Sequence, residues 1–322
     1  MKFFKKLADN SFQAVDDPKE ADWLHYQLPD EVVIQELVNE YSLPEDFITS
    51  GLDRYEIPRY EVIENKSGHK IHLLLLLTPI RNQIVEVGKE YLTEPLSIII
   101  FPDKVLTVSP HTPKLIDDIA NNRPHKSDKN LLHGQAKDNH LVLRILWRLM
   151  NDYIEKIAEI NIQIEQLESN IHDTTKNEMF DQLISIHKSL VYFHTAINKN
   201  HDKILQIKSI DLIGNEMLNK EFLHDIEVVS SQALVLVDES DEMISHLSEV
   251  FSNVISNNMN YIMKFLTALT VVLTIPQLIG SIWGMNVGLP LEHNPFGFSI
   301  LIIATVLITI LTIKWLKNKD FF

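Results

Sequence analysis

Thr267, Thr270, Thr274, Gln277 and Ser281 recur at spacings of three, four, three and four, which on an α-helix sets hydroxyls and an amide in one stripe. Extended backwards, the same spacing reaches Met263 and Asn260; forwards it leads to Gly284-Met285-Asn286. The stripe lies within residues 265–283 (FLTALTVVLTIPQLIGSIW), which carry no charge and nearly match the length that crosses a hydrocarbon core of about 30 Å. Lipid cannot satisfy polar groups at that depth, so the stripe must face protein or water. Serine and threonine hydroxyls can bond back to their own helix, and small polar residues often line helix contacts. The Gln277 amide is harder to hide, which favours a water-filled path over packing.

A second uncharged span, 296–313 (FGFSILIIATVLITILTI), follows, with a shorter stripe of Thr305, Thr309 and Thr312 that is open to simple packing. Two helices cannot enclose a wet path, so a pore lined by the first span needs several copies around an axis, most simply with cyclic symmetry. Pro276 removes one ladder bond inside the first span, which leaves a local kink or widening and an ordinary tolerated membrane proline as equal readings. Lys264 precedes the first span, and Lys314, Lys317 and Lys319 follow the second, while the loop between them has no Lys or Arg. By the positive-inside rule both termini are cytoplasmic and the loop faces out. No apolar stretch backs the lysines of MKFFKKLADN, so no cleaved signal peptide is expected.

Proline divides what positions these spans. Ten of the thirteen prolines lie at or before Pro124, and the others are Pro276, Pro290 and Pro295. Before residue 114 the chain predicts an α+β cytosolic domain with a largely antiparallel sheet. An amphipathic helix over 29–40 would bury Val32, Val33, Leu37 and Val38, with strands at 59–65, 69–78, 95–101 and 103–109. Residues 115–213 read as a helical region with a polar interruption at 121–137. Gly214 marks a turn, and 214–264 reads as a stalk helix with a seam of Ile244, Leu247, Phe251 and Val254. Carried on to Ile282, that helix would be about 100 Å long. The first transmembrane helix is then 265–286, the outer loop 287–295, the second helix 296–316 and the cytoplasmic tail 317–322.

The chain has 322 residues, no cysteine and a net charge of −15, the reverse of a nucleic-acid footprint. Disulfides, thiolate metal sites and cysteine nucleophiles are excluded. The rival from another class is a membrane-tethered cytosolic enzyme or scaffold whose spans merely anchor it, but residues 1–213 contain no Gly-rich phosphate loop, no HExxH and no nucleophile elbow, and no cofactor is called for.

Gly284-Met285-Asn286, after Trp283 at the end of the first of two C-terminal spans and before a short outward loop, resembles the signature of the CorA family of divalent-cation transporters. Ser256, Asn257, Met259, Asn260, Met263 and Lys264 resemble the segment where that family's stalk enters the membrane, and Leu52-Asp53 through Pro58-Arg59-Tyr60-Glu61 resembles its N-terminal domain. The order of domains matches over the whole chain. The resemblance implies a homopentameric funnel in the plasma membrane, with the chain itself, lipid and divalent cations as partners, taking up Mg2+ and also Co2+ or Ni2+.

On the same resemblance Gly284, Met285 and Asn286 form the selectivity filter, with Asn286 as its first ring. A ring of neutral amide oxygens suits Mg2+, which sheds water reluctantly, because it can hold the ion through its waters. Asn260 and Met263, with Leu266 nearby, match an inner polar ring and a hydrophobic gate, although Met263 reads equally well as packing. Glu292 in the outer loop would attract cations. The family closes when intracellular Mg2+ fills acidic sites between cytosolic subunits. Asp225 falls where a sensing aspartate is expected, with Glu227 close by and Asp238 and Asp241 as further candidates; the alternative is a solvated acidic face. Trp283 and Val287 flank the motif where the family more often differs, and the basic collar is thin. A Zn2+ carrier of the ZntB type is the nearest rival. His187, His194 and His201 are heptad-spaced and, like His172, fall on predicted helices, where a soft-metal site competes with ordinary surface or core histidines.

Overall fold

Five consecutive leucines, Leu73–Leu77, show no polar alternation, a pattern that needs apolar cover on both faces of a strand. In the computed structural model, which describes residues 1–65, 68–81, 90–126, 128, 140–169, 176–207, 217–285, 288 and 295–319, they sit in strand β5. The chain falls into two compact units, Met1–Leu247 and Ser248–Phe322.

In the first unit the described residues form a seven-stranded sheet of order β2-β1-β3-β7-β6-β5-β4. The strands are β1 (Lys2–Lys6), β2 (Phe12–Val15), β3 (Trp23–Gln27), β4 (Arg59–Glu64), β5 (Lys70–Arg81), β6 (Tyr91–Ile100) and β7 (Val105–Ser109). Only the β3–β7 pairing is parallel, so the sheet is largely antiparallel as expected. The sequence reading missed β1, β2 and β3. They are short, β1 and β2 lie towards one edge, and the parallel pairing of Trp23 with Val105 joins segments too distant for hairpin logic. Strand β6 also begins at Tyr91 rather than 95: Pro95 stands opposite Leu77, and residues before it continue the pairing out to Arg81.

Helices α1 (Glu31–Tyr41) and α2 (Asp46–Thr49) cover one face, where Ile34, Leu37, Phe47 and Ile48 join Leu24, Ile71, Leu73, Ile99 and Leu106 in one core. The Asp30 carboxylate caps α1 by accepting from the Val33 N–H at 2.9 Å. The buried stripe differs from expectation by one position: Ile34 and Leu37 are inside, whereas Val32 is exposed. Helix α3 (Lys114–Ala120) follows β7, and α4 (Leu141–Ser169) and α5 (Lys176–Gln206) pack against the sheet through β5 and β6. Of the polar interruption expected at 121–137, only 121–126 and 128 lie among the described residues.

Helix α6 runs unbroken from Met217 to Trp283, 67 residues, and α7 spans Gly297–Lys317. Between residues 215 and 279 there is no glycine, and Pro276 is accommodated without ending the helix. Of the expected seam, Ile244, Leu247 and Phe251 are buried and Val254 is half-buried.

Candidate ion pathway and acidic stalk sites

Within the second unit the membrane part of α6 has two distinct faces. Ala268 is fully buried and Val272, Ile275, Ile279 and Trp283 are half-buried. Asn260, Met263, Leu266, Thr267, Thr270, Thr274, Gln277 and Ser281 are exposed. At about 100° per residue the Thr267–Ser281 stripe lies about half a turn from the covered face. Helix α7 behaves in the opposite way. Its Thr305, Thr309 and Thr312 are half-buried, in line with Leu301 and the buried Leu316, so the threonine stripe of the second span is its covered face. A cleft of about 460 Å³ lined by Thr270, Val271, Thr274, Ile275, Leu278, Ile279 and Ile308 lies between the two helices.

The hydroxyls bond to their own helices. Thr267 donates to the Met263 carbonyl at 2.8 Å, Thr270 to Leu266 at 2.8 Å and Thr274 to Thr270 at 2.7 Å. On α7, Thr305, Thr309 and Thr312 do the same with Leu301, Thr305 and Ile308. Back-bonding uses the proton and leaves oxygen lone pairs directed outward, so the exposed stripe of α6 presents acceptors, the polarity that a hydrated cation needs.

At the C-terminal end of α6 Gly284 donates to the Gly280 carbonyl at 3.0 Å and Met285 to the Ile282 carbonyl at 3.2 Å. A Cβ built on Gly284 would approach nothing nearer than the Gly280 oxygen at 3.4 Å. One protomer therefore has room for a side chain at position 284. Met285 is exposed, whereas Asn286 and Glu292 lie outside the described residues, as does His172.

The acidic candidates lie on α6 within the first unit. Asp225 is buried, and its Oδ2 has no hydrogen-bond partner, which separates it from a solvated helix face. Glu227 is half-buried with its Oε2 3.9 Å from His224 Nδ1. Asp238 is exposed and meets His194 Nε2 at 3.3 Å; Asp241 is half-buried. His201 Nδ1 lies 2.9 Å from Ser230 Oγ, so two of the heptad-spaced histidines turn one face of α5 towards α6, and His187 is exposed. The heptad signal was present in the sequence, but the acid across from it was not evident. Among the described residues no three His, Asp or Glu side chains are grouped to hold a metal within one chain. Sequence reasoning also missed a charged cleft beside α4, whose residues come from five separate segments.

A family model described as "CorA-like Mg2+ transporter protein" matches residues 18–318. The cobalt/magnesium transport protein CorA of Methanocaldococcus jannaschii is 26% identical over 305 residues, 92% of this chain and 90% of the relative. The complete structure of the CorA magnesium transporter from that organism superposes with a TM-score of 0.79 at 21% identity, covering 100% of this chain and 98% of the other. The ZntB cytoplasmic domain from Vibrio parahaemolyticus matches at a TM-score of 0.53 and 12% identity over 81% of this chain and 98% of its own, a likeness of fold alone. With a family model covering nearly its whole length, the chain belongs to the CorA-like Mg2+ transporter family.

Proposed function

We propose that this chain is one subunit of a homopentameric channel-like carrier that admits Mg2+, and with it Co2+ or Ni2+, across the plasma membrane. The observation that carries the reading is the exposed acceptor stripe on α6, about half a turn from the covered face of that helix and leading to Gly284-Met285. Exposed polar groups on a membrane helix require protein or water beside them. Copies of α6 around an axis supply both, with Asn260, Met263, Leu266, Thr267, Thr270, Thr274, Gln277 and Ser281 towards the path. Room for a Cβ at Gly284 in one protomer supports this, because the demand for glycine then comes from neighbouring copies or the ion.

Asn286 forms the outer ring, holding Mg2+ through its waters, and Glu292 raises the local cation concentration. Both termini are cytoplasmic. Inward movement is driven by the inside-negative potential, about 2.3 kcal/mol per elementary charge per 100 mV. The transported ion also regulates: a buried carboxylate with an oxygen lacking a donor, Asp225, is a ligand that a hard cation would satisfy, with remaining ligands from an adjacent subunit. Glu227, Asp238 and Asp241 extend the acidic surface along α6.

The deciding experiment is rescue of Mg2+-uptake-deficient cells, paired with uptake into proteoliposomes. The wild-type chain should restore growth and Asn286→Ala should not. Normal Mg2+ uptake by that variant would sink the filter assignment. Uptake of Zn2+ in preference to Mg2+, driven by a pH gradient, would establish the ZntB-type alternative instead.

A further inference from the structure

A chain with net charge −15 places cations sparingly, yet four converge on one cleft of the first unit. Arg54, Arg81, Lys114 and Lys156 line it, with Glu94 and Asp152 as the acids among its described lining residues and His111 alongside. The cleft measures about 410 Å³, within the size range of small-molecule sites. It opens between the ends of β5 and β6, the turn leading into α3, and α4.

The two carboxylates do not neutralise it. The Glu94 side chain is almost wholly buried, accepting from Arg54 Nη2 at 3.2 Å and lying 2.9 Å from His111 Nδ1. That carboxylate is consumed by its own neighbours, and Arg54 remains half-exposed at the rim. Asp152 has Lys156 Nζ at 4.0 Å as its nearest cation, and burial pushes its carboxyl up to about 6. Arg81 Nη2 meets Glu90 at 3.1 Å and Lys156 Nζ meets Glu159 at 3.5 Å, both carboxylates lying outside the described lining of the cleft, and Arg81 is exposed. Lys114 is exposed and has no carboxylate within 4.0 Å among the described residues. Lys114 is thus the cation of the cleft without an ion-pair partner among the described residues, and the lining itself carries four cations against two acids, the electrostatic condition for an anion.

Pro79, Ile80, Leu92 and Pro113 supply an apolar wall in the same cleft. An inorganic anion would leave that wall unused, and a metal cation would meet four like charges. We propose that the cleft binds a small organic phosphate of nucleotide size. Its phosphate lies between Lys114, Lys156 and Arg81, and its ring lies on Pro79, Ile80, Leu92 and Pro113. Ammonium and guanidinium groups make strong charge-assisted bonds to phosphate oxygens. Beside the cleft, Tyr153, next to Asp152 on α4, donates to the Leu77 carbonyl at 3.0 Å, which Asn200 of α5 also holds. Binding at this site is independent of the transport reading, so either can fail without the other.

The test is calorimetric titration of the full chain in detergent, in EDTA so that metal chelation contributes nothing, with ADP, AMP, inorganic phosphate and adenosine. The expected result is saturable binding of ADP and AMP at one site per chain, with phosphate and adenosine each at least about tenfold weaker. Arg81→Glu/Lys114→Glu should weaken ADP by about tenfold or more while Mg2+ uptake without nucleotide stays at the wild-type level. A readout that needs no variant is amine acetylation followed by mass spectrometry: ADP should protect Lys114 and Lys156 and leave Lys199 unprotected. Absence of ADP binding at millimolar concentration, equal affinity for inorganic phosphate, or unprotected Lys114 would each overturn the proposal.

Discussion

The side-chain amide of Asn200 pairs with both backbone groups of Leu77: the Leu77 N–H donates to Oδ1 at 3.0 Å, and Nδ2 donates to the Leu77 carbonyl at 2.8 Å. Strand β4 pairs with β5 only as far as Arg59 opposite Leu75, after Pro58, so Leu77 has no strand partner on that side. Asn200 takes that place from α5. The same helix meets α6 through His201–Ser230 and His194–Asp238. Helix α5 thus ties the sheet to the part of α6 that lies in the first unit.

Asn200→Leu should therefore destabilise the chain by about 2 kcal/mol, since the buried Leu77 N–H loses its acceptor while Tyr153 still serves the carbonyl. Thermal unfolding in detergent measures this. An unchanged midpoint would show that water or a shifted neighbour satisfies the strand equally well.

Gly284→Ala should leave folding intact and reduce Mg2+ uptake by about tenfold or more, on the order of 1.4 kcal/mol in the transport barrier. Space for the methyl exists in one protomer, so any loss arises where copies or the ion approach. Wild-type uptake with normal assembly would remove position 284 from the filter.

Because the chain has no cysteine, single cysteines report without background. Water-soluble thiol reagents should modify Cys substitutions at 267, 270, 274, 277 and 281 in the membrane-embedded protein and spare those at 272, 275 and 279. Similar labelling of both sets would show that the stripe is not the wet face.

Asp225→Asn should raise the intracellular Mg2+ concentration needed to close the pathway severalfold, because one anionic ligand is lost from a site that is buried and under-bonded. Proteoliposome uptake against a series of internal Mg2+ concentrations measures it; an unmoved midpoint would assign Asp225 to packing.

His25 lies between the Thr107 and Thr112 hydroxyls at 3.0 and 3.1 Å, and burial, then Lys2, lowers its imidazole to about 4. Burial and Lys6 lower His140 to about 4 as well. Both stay neutral in the fold while the unfolded chain takes up protons near pH 6.5. Their contribution is complete above that pH and is lost as pH falls through about 4, each on the order of 2–3 kcal/mol. Unfolding curves between pH 7 and 4.5 should steepen in this way, and His25→Gln should flatten the slope. Parallel slopes would count against a neutral buried His25.

The sequence by itself determined what depends on local pattern. Two uncharged spans, the unbroken helix leading into the first, the stripe through Gln277, and the Gly284-Met285-Asn286 ending are all periodic or contiguous signals. The run over 69–78 likewise announced a strand. Tertiary structure alone decided what depends on segments meeting. It paired Trp23 with Val105 in parallel and drew β1 and β2 into the sheet. It also turned the α7 threonines inward while leaving the α6 stripe exposed, a difference that two similar hydroxyl patterns cannot encode. Asp225 was singled out in the sequence by resemblance alone, and packing buried it; Arg54, Arg81, Glu94, Lys114 and Asp152 formed no motif until five segments converged. Burial and convergence are properties of neighbours in space, and spacing along the chain does not contain them.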